Sequence, residues 1–384
     1  MEDWEHGGFG LYIHWPFCQA KCPYCDFNSH VVAQIDQKAW ETAYLSEIER
    51  IGAETSGRVL KSVFFGGGTP SLMDPEVVDA VISKIRATWS LANDIEITLE
   101  ANPTSVEAGR FKGYRDAGVN RVSMGIQALN DADLKALGRL HSTSEAMQAY
   151  DIARNVFDRV SFDLIYARQG QSLAAWEAEL KQALSMAIDH LSLYQLTIEA
   201  GTAFGDRYAA GKLRGLPDDD SAADMYVLTQ QVCADAGFLG YETSNHARPG
   251  AESTHNKVYW KYGDYAGIGP GAHGRLTIDG KRFATETPLA PMGWLAQVLQ
   301  TGNGESGRTA LSADDQMAEF LLMGMRLEEG VELGRFSGFL NDVFYNKINS
   351  LIDLEMVSLD GTRLKATANG RPVLNAVLRE LLEG

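Results

Sequence analysis

The chain has 384 residues, of which 45% are hydrophobic and 22% are charged, and this composition is typical of a folded protein with a large and a small domain. Its net charge of −17 argues against non-specific binding to nucleic acid or to an anionic bilayer. No run of about 18 apolar residues is present, so no membrane span is predicted. The acidic start MEDWEHGGFG is unlike a secretory signal, and clustered cysteines suit a reducing compartment. These features predict a cytoplasmic protein.

From residue 10 to residue 200, short β-rich runs alternate with amphipathic stretches. The strand candidates are 10–15, 61–66, 95–101, 121–127, 159–166 and 190–196. Between them, 75–88 is typical of a helix, with Asp74 as its N-cap and Pro75 at its first position. Six strand–helix units predict a parallel sheet with right-handed crossovers. Because a closed barrel needs eight such units, the predicted fold is α/β, a partial (β/α)6 TIM-type barrel.

The rest of the chain is less regular. It contains an acidic turn at Pro217–Asp220, a following helix, and the run HNKVYWKYGDYAGIGPGAHGR. After residue 305 the pattern predicts two helices, a hairpin around Asp360-Gly361 and a closing helix. The predicted domains are the barrel core, its completion and a small C-terminal helical or winged-helix-like domain, over residues 1–200, 201–305 and 306–384.

Three of the four cysteines stand close together as C-x3-C-x2-C, at Cys18, Cys22 and Cys25. Three such thiolates can hold three irons of a [4Fe–4S] cluster and leave the fourth iron without a protein ligand. The alternative is a structural zinc site, which requires four ligands in tetrahedral geometry. Its fourth ligand would have to be one of three side chains: His14, His30 or the distant Cys233. The spacing of the three cysteines favours the cluster over zinc. Cys233 lies in a helical pattern, where a buried cysteine serves as a small hydrophobic side chain.

Polar or glycine residues end most of the predicted strands, at the edge where parallel sheets collect their chemistry. The run GGGTP at 66–70 follows the second strand, where glycines let backbone groups approach a ligand and Thr69 adds a hydroxyl. It lacks the lysine of a phosphate-binding loop. The next three strands carry Glu100, Gln127 and Asp163. Each of these side chains also has a structural interpretation, as an ordinary residue at a strand end.

Together, the cysteine and glycine motifs resemble the radical S-adenosylmethionine superfamily, and the resemblance extends over the whole chain. It is closer within one branch, that of the oxygen-independent coproporphyrinogen III oxidase. The resemblance implies a [4Fe–4S] cluster on the three cysteines, with the open iron chelating the amino and carboxylate groups of S-adenosylmethionine. It also implies a set of cofactor-binding residues: Tyr12, Tyr24, Gly67, Gly68, Thr69, Glu100, Gln127, Arg139, Asp163, Gln195, Ala272 and His273.

Two departures separate the chain from the oxidase. The oxidase has a further cysteine two positions after its third, where this chain has Phe27, and it has a longer segment before the strand that begins here at Gly10. Both features, with HNKVYW at His255–Trp260, are similar to the HemW family of haem chaperones. One difference from that family is ARQG at 167–170 in place of GLPG, which alters the expected backbone near Asp163.

The second resemblance implies a haem chaperone that carries the cluster and S-adenosylmethionine, takes haem b as cargo and passes it to apo-haemoproteins such as respiratory enzymes. His255 is then a candidate ligand of the haem iron, since imidazole is a common axial ligand, and Tyr259 and Trp260 offer flat apolar surface to a porphyrin. HNKVYW also has a structural interpretation, as a corner whose aromatic residues are core. His246 occupies a position where relatives carry an aromatic residue, and it is either incidental or a second ligand.

The alternative function is the oxidative decarboxylation of coproporphyrinogen III by a 5′-deoxyadenosyl radical, in which the cofactor supplies the difficult chemistry. The absence of the oxidase's further cysteine makes that activity unexpected. A third interpretation is a cluster-bearing structural or regulatory protein that binds no haem. A homodimer is compatible with the sequence, whereas a nucleic-acid partner and stable membrane insertion are not expected.

Overall fold

The strands of the computed structural model, which describes residues 2–383, form one large sheet and two small ones. In chain order they are β1 (Phe9–Trp15), β2 (Phe17–Cys18), β3 (His30–Val31), β4 (Val59–Gly67), β5 (Ser90–Ala101), β6 (Arg121–Gln127), β7 (Arg159–Tyr166), β8 (His190–Gln195), β9 (Leu239–Gly240), β10 (Asn245–Ala247), β11 (Asp264–Ile268), β12 (His273–Ile278), β13 (Lys281–Glu286), β14 (Gly307–Ala310), β15 (Val331–Glu332), β16 (Val357–Asp360) and β17 (Arg363–Ala366).

The large sheet has the order β14-β13-β12-β11-β1-β4-β5-β6-β7-β8-β10-β9. Its centre, from β1 to β8, pairs in parallel in the predicted order, and β11 adds a further parallel strand beside β1. Antiparallel strands extend both ends, with β12 to β14 on one side and β10 and β9 on the other. The predicted α/β partial barrel is confirmed.

Alternation along the strands separates an apolar outer face from a polar inner face. In β1, Leu11 and Ile13 are fully buried in the main core, which lies between the sheet and the helices. Tyr12 and His14 point the other way, where the Tyr12 hydroxyl lies 3.0 Å from His14 Nδ1. This period of two places polar side chains inside the barrel and carries the inner residues nearest the strand ends to one rim.

The helices are α1 (Gln37–Glu54), α2 (Pro75–Thr88), α3 (Ser105–Ala108), α4 (Phe111–Ala117), α5 (Asp131–Ala136), α6 (Thr143–Val156), α7 (Leu173–Met186), α8 (Ala203–Ala209), α9 (Asp219–Asp235), α10 (Thr254–Trp260), α11 (Pro291–Thr301), α12 (Ala313–Gly324), α13 (Asp342–Asp353) and α14 (Leu374–Leu382). The predicted helix 75–88 coincides with α2, although the Asp74 side chain makes no capping hydrogen bond and pairs with Arg110 at 3.3 Å. Within residues 2–383, no helix is long and apolar enough to cross a membrane.

The C-terminal part of the chain has a hydrophobic core of its own. Its buried residues include Phe320 of α12, Ile348 of α13, Leu364 of β17 and Leu378 of α14. The order of helix, helix, hairpin and closing helix follows the prediction, and β15 adds a third strand to the hairpin. Tyr262, from the loop after α10, packs into the same core. The C-terminal segment therefore packs against the barrel next to the end of α10. The limits of the three domains stay a prediction.

Candidate cofactor site

The glycine run after β4 brings its backbone against the start of the cysteine loop. Thr69 N–H donates to the carbonyl of Phe17 at 2.8 Å. A Cβ atom on Gly68 would lie 2.7 Å from the Phe17 backbone, and one on Gly67 would lie 2.5 Å from the His14 ring. Gly67 also has a φ of +109°, in the region that favours glycine. Close approach therefore requires both glycines, and backbone conformation is a second requirement at Gly67.

The cysteine loop and the strand ends enclose a cavity of about 140 Å³, named here the cysteine cavity. Cys18, Cys22 and Cys25 line it, and each is half-buried. Most of the predicted cofactor residues line it too: Tyr24, Gly67, Gly68, Thr69, Glu100, Gln127, Arg139 and Asp163. Since these residues come from the ends of four parallel strands and the loops beyond them, the parallel topology itself assembles the site.

Each of the three thiols has a hydrogen-bond partner in the cavity wall, which for Cys25 is the Ser29 hydroxyl at 3.8 Å. Thr69 Oγ1 donates to Cys18 Sγ at 3.3 Å, and Arg139 Nη1 donates to Cys22 Sγ at 3.4 Å. Burial raises the pKa of the Cys18 and Cys25 thiols, so both hold their protons more tightly than free cysteine until a positive charge replaces them. Donors aimed at sulfur stabilise thiolates and tune a cluster bound to them.

Asn102 connects two other residues of this wall and is absent from the predicted set. Its side-chain Nδ2 atom donates to Thr69 Oγ1 at 3.1 Å, and its Oδ1 atom accepts from Arg139 Nη2 at 2.7 Å. Arg139 also donates to the carbonyl of Gly125 at 2.8 Å, so its guanidinium is fixed inside the cavity. The run EANP, which places Asn102 two residues after Glu100, is the local pattern that could have indicated it.

Two carboxyl groups face the cysteine cavity from the barrel interior. Glu100 Oε2 accepts from Gly67 N–H at 3.3 Å, and Asp163 Oδ1 accepts from Ser123 Oγ at 3.5 Å. Burial, reinforced by the charge of Asp163, raises the pKa of Glu100 to about 8. Burial also raises the pKa of Asp163 to about 6, despite opposing hydrogen bonds from serines. Such a pair favours a cationic ligand, because positive charge stabilises both ionised forms.

Backbone conformation directs Gln127 into the same cavity. Its φ is +74°, which is rare for a residue with a side chain, and the pairing of β6 with β7 shifts register just before it. Strain of this kind persists where the surroundings dictate it, often at binding sites. Gln195, by contrast, is exposed at the end of β8, and Ala272 is buried; neither is among the residues lining this cavity.

A larger cavity of about 440 Å³, the aromatic cavity, adjoins the cysteine cavity and shares Phe27, Gly67 and Glu100 with it. Its full lining is Tyr12, His14, Phe27, Asn28, Gly67, Glu100, Tyr259, Trp260, Tyr265, Gly271, His273 and Met323. Tyr12 and His273 of the predicted cofactor set thus lie here rather than beside the cysteines. Tyr265 and Met323 are not predicted site residues, although Tyr265 lies within the run HNKVYWKYGDYAGIGPGAHGR.

Comparison with known proteins identifies the family. The model of the radical SAM superfamily matches residues 12–183, and that of the HemN C-terminal domain matches residues 311–373. The heme chaperone HemW of Escherichia coli is 38% identical over 378 residues, which cover 97% of each chain. The chain belongs to the HemN-like branch of the radical SAM superfamily. Radical S-adenosyl methionine domain-containing protein 1, mitochondrial, of Mus musculus is 40% identical and covers 97% of this chain and 87% of its own.

The fold of this branch is also found in a solved structure. Coproporphyrinogen III oxidase (HemN) from Escherichia coli superposes with a TM-score of 0.81 at 22% identity, over 98% of this chain and 90% of its own. Membership of the superfamily implies a [4Fe–4S] cluster and S-adenosylmethionine. When bound, this pair supplies an electron and a 5′-deoxyadenosyl radical.

The residues of the cysteine cavity fit that pair. Three half-buried thiols share one loop, Thr69 and Arg139 donate to their sulfurs, and a carboxyl pair lies deeper in the same cavity. The cysteines would hold the cluster, and the carboxyl pair would face the positively charged cofactor.

His255 of this family member lies behind the wall of the aromatic cavity. Its ring stacks on Phe64 with 4.9 Å between centroids, and its Nδ1 and Nε2 atoms lie 2.8 Å from Ser62 Oγ and 2.6 Å from the Tyr259 hydroxyl. The side chain is 1% exposed, and burial lowers its pKa to about 3. Ligation of haem iron by His255 stays a prediction, and in this conformation both ring nitrogens are engaged.

The other histidine of interest, His246, is also remote from both cavities. It is fully buried in β10, its Nε2 atom lies 3.2 Å from Gln230 Oε1, and burial lowers its pKa to about 4. Neither cavity lining includes it. The geometry of His246 is that of a core side chain with one ring nitrogen engaged, while its buried Nδ1 atom has no side-chain or backbone partner in the described structure.

The ARQG departure is accommodated by an arginine that turns inward. Ala167 keeps a φ of +57°, the left-handed conformation that a glycine would adopt with less strain. Arg168 is 3% exposed, and its Nη2 atom lies 2.6 Å from Asp133 and 2.5 Å from Glu179. Asp163 still lines the cysteine cavity. The departure therefore changes the packing of the loop and leaves the cavity wall in place.

Proposed function

We propose that this chain is a haem chaperone that holds a [4Fe–4S] cluster and S-adenosylmethionine in the cysteine cavity and carries haem b in the aromatic cavity. The observation that carries the proposal is the aromatic cavity itself. Tyr12, Tyr259, Trp260 and Tyr265 supply flat apolar surface around about 440 Å³, a size typical of ligand sites. The E. coli relative named heme chaperone HemW supports the same function.

Charge in the aromatic cavity sets the orientation of the cargo. Among the described lining residues, Glu100 is the charged side chain, and no lysine or arginine accompanies it. Burying two propionates without cationic partners would be costly. The macrocycle therefore enters with its propionates toward solvent, past Phe27, which is 59% exposed at the mouth.

The same residue argues against the oxidase activity. Phe27 occupies the position at which the oxidase carries a further cysteine, and it borders both cavities. In the proposed mechanism the cluster and S-adenosylmethionine control haem loading or transfer rather than oxidise the cargo. The recipients are apo-haemoproteins such as respiratory enzymes. A cytoplasmic location stays a prediction, since several relatives are named as mitochondrial.

The test is a haem titration of anaerobically purified protein, with and without reconstituted cluster, followed by transfer to an apo-haemoprotein. Wild-type protein is expected to give a saturable Soret change with a stoichiometry of one. Trp260→Ala removes part of the cavity wall and should weaken binding about tenfold, which corresponds to about 1.4 kcal/mol. Tyr208→Ala, at an aromatic residue that is 59% exposed and outside both cavities, serves as the matched control.

Two results would contradict the proposal. One is the absence of saturable haem binding by the wild-type protein in either cluster state. The other is anaerobic conversion of coproporphyrinogen III to protoporphyrinogen IX by the reconstituted protein, which would establish the oxidase instead.

A further inference from the structure

Haem iron requires a donor atom that reaches into the cavity and is free to bind. The side chains on the aromatic cavity that belong to the usual types of axial haem ligand are three tyrosines, two histidines and one methionine: Tyr12, Tyr259, Tyr265, His14, His273 and Met323. Imidazole and thioether are common axial ligands, and a phenolate serves in some proteins. The hydrogen bonds of these six side chains separate structural residues from available ones.

The tyrosines are poor candidates because each would have to lose a proton. Burial raises the pKa of Tyr12, Tyr259 and Tyr265 above the usual range. The Tyr12 hydroxyl also lies 3.0 Å from His14 Nδ1, and that of Tyr259 lies 2.6 Å from His255 Nε2. These groups are better suited to forming the wall than to binding iron.

His14 is likewise engaged at both ring nitrogens. Its Nδ1 atom faces the Tyr12 hydroxyl, and its Nε2 atom lies 2.9 Å from the backbone carbonyl of Asn28. Since a carbonyl only accepts, the Nε2 atom carries the proton and Nδ1 accepts from Tyr12. His14 thus ties the inner face of β1 to the end of the cysteine loop.

His273 differs from the other histidines at this site. It is the first residue of β12, its side chain is exposed, and its backbone is fixed by pairing with β13 opposite Glu286. Within the described structure its imidazole makes no hydrogen bond, yet it lines the cavity. It therefore combines a rigid backbone with a free ring, as an axial ligand requires.

Met323 adds a second available donor from a different part of the chain. It belongs to α12, is half-buried and lines the same cavity. A thioether is a soft ligand suited to haem iron. Histidine and methionine on one cavity would bring the barrel and the C-terminal segment to the same iron.

We propose that His273 is the axial ligand of the haem iron in the aromatic cavity and that Met323 supplies the sixth ligand. This inference rests on the proposed function and names the iron-binding groups of the same site. His255 is then a positioning residue, which holds the ring of Tyr259 in the wall. The family resemblance instead implies that His273 binds S-adenosylmethionine, so the experiment must separate the two roles.

The experiment compares haemin with metal-free protoporphyrin IX, because only the former needs an axial ligand. His273→Ala should weaken haemin binding at least about tenfold and shift the Soret band, while changing protoporphyrin IX binding less than about twofold. Added imidazole should restore the wild-type spectrum. Met323→Leu, of similar volume, should keep haemin bound but convert the iron from six- to five-coordinate, as read by magnetic circular dichroism.

The controls use two other histidines. His6→Ala, at an exposed histidine outside the aromatic cavity, should leave both ligands unaffected. His255→Ala should weaken haemin and protoporphyrin IX equally, since it loosens the wall. S-adenosylmethionine binding should survive His273→Ala.

The ligand assignment is overturned if His273→Ala keeps the wild-type Soret spectrum, or if it weakens both porphyrins equally. A loss of S-adenosylmethionine binding with intact haemin binding would place His273 in the cofactor site instead. Failure of the wild-type protein to bind haemin would remove the proposed function as well, and this result is distinct from the other two.

Discussion

The two cavities of this protein are neighbours with different origins. The cysteine cavity, of about 140 Å³, is the more polar of the two and is built from one loop and the ends of successive parallel strands. The aromatic cavity, of about 440 Å³, shares part of its wall with the cysteine cavity, and the rest comes mainly from β1, α10, β11, β12 and α12, which span most of the chain. The first follows directly from the barrel topology. The second exists only once later segments have closed the open side of the barrel.

Three residues line both cavities and could couple them. They are Phe27, Gly67 and Glu100, at the common boundary. If the cavities are independent, disrupting one should leave the binding properties of the other intact. If these boundary residues couple them, cluster state and haem binding should change together. The following predictions test this difference.

The largest effect is expected from removing one cluster ligand. Cys22→Ala should abolish the cluster, since only two thiolates remain and the Arg139 hydrogen bond to sulfur is lost. Iron and sulfide analysis after anaerobic reconstitution measures this. Haem affinity should change less than about threefold if the aromatic cavity is independent.

The matched control is Cys233→Ala, at a cysteine buried in α9 that should keep the full iron and sulfide content. A loss of haem binding in Cys22→Ala, but not in Cys233→Ala, would show that the cavities are coupled. In that case the two sites should be regarded as a single functional unit.

A second prediction concerns stability outside both cavities. Arg168→Met removes the cation that faces Asp133 and Glu179, and Glu179 is itself only 9% exposed. Leaving a buried carboxylate without its partner typically costs about 3–5 kcal/mol. The free energy of unfolding should fall accordingly in denaturant titrations, while the affinities of both cavities in the folded protein stay unchanged.

The pairing itself is tested by Arg168→Met combined with Glu179→Gln, which should recover a large part of the lost stability. No recovery would show that the inward arginine acts through packing rather than charge.

The cysteine cavity was predictable because its residues lie in short local motifs at strand ends. Gly67 and Gly68 are adjacent, and their tight approach to His14 and Phe17 follows from the pattern of strand and glycine turn. Asn102 escaped prediction because its role depends on two hydrogen bonds to distant residues rather than on a motif. The central strands were predicted for a similar reason, since alternation and apolar runs are local properties.

The aromatic cavity was much less predictable. HNKVYW correctly marks an aromatic region, but it forms a helix, and His255 and Tyr259 meet on one helix face four residues apart. On that face the His255 ring stacks on Phe64 behind the cavity wall, whereas Tyr259 lines the cavity. Met323 belongs to a segment whose position against the barrel depends on tertiary packing, which no local pattern encodes.

A third prediction uses two glycines that both have positive φ. Gly67→Ala introduces a Cβ atom 2.5 Å from the His14 ring at a φ of +109°, so both strain and a clash oppose it. Gly170→Ala adds a Cβ atom in open space at a φ of +70° and meets only the backbone penalty. We expect losses of about 2–4 kcal/mol and about 1 kcal/mol, respectively, in the free energy of unfolding.

Binding measurements then address the boundary between the cavities. Gly67→Ala should weaken S-adenosylmethionine binding and haem binding together, since the displaced His14 ring borders one cavity and the glycine run borders the other. Equal stability losses in the two variants would show that the contact with His14 relaxes without cost.

The smallest effect is expected from the pH dependence of Glu100. Burial and the charge of Asp163 raise the pKa of Glu100 to about 8, and the pKa of Asp163 is itself raised to about 6. Near neutral pH the folded pair therefore holds a proton, whereas both carboxyl groups are ionised in the unfolded chain. The unliganded protein should therefore lose stability as pH rises through about 8. A cationic ligand favours the ionised pair, so the affinity for S-adenosylmethionine should rise with pH between about 6 and about 8, by at most about tenfold per unit.

Glu100→Gln should flatten this profile, and Glu49→Gln, at an exposed carboxyl paired with Lys84, should leave it unchanged. A profile that stays equally steep in Glu100→Gln would show that Asp163 alone titrates. The decisive comparison is with metal-free protoporphyrin IX, which needs no axial ligand and whose affinity should not depend on pH in this range if the cavities are independent. Because Glu100 borders both cavities, a parallel pH dependence of protoporphyrin IX binding would show that one proton is shared between them. Occupancy of the cofactor site would then control haem affinity through charge, without any movement of the walls.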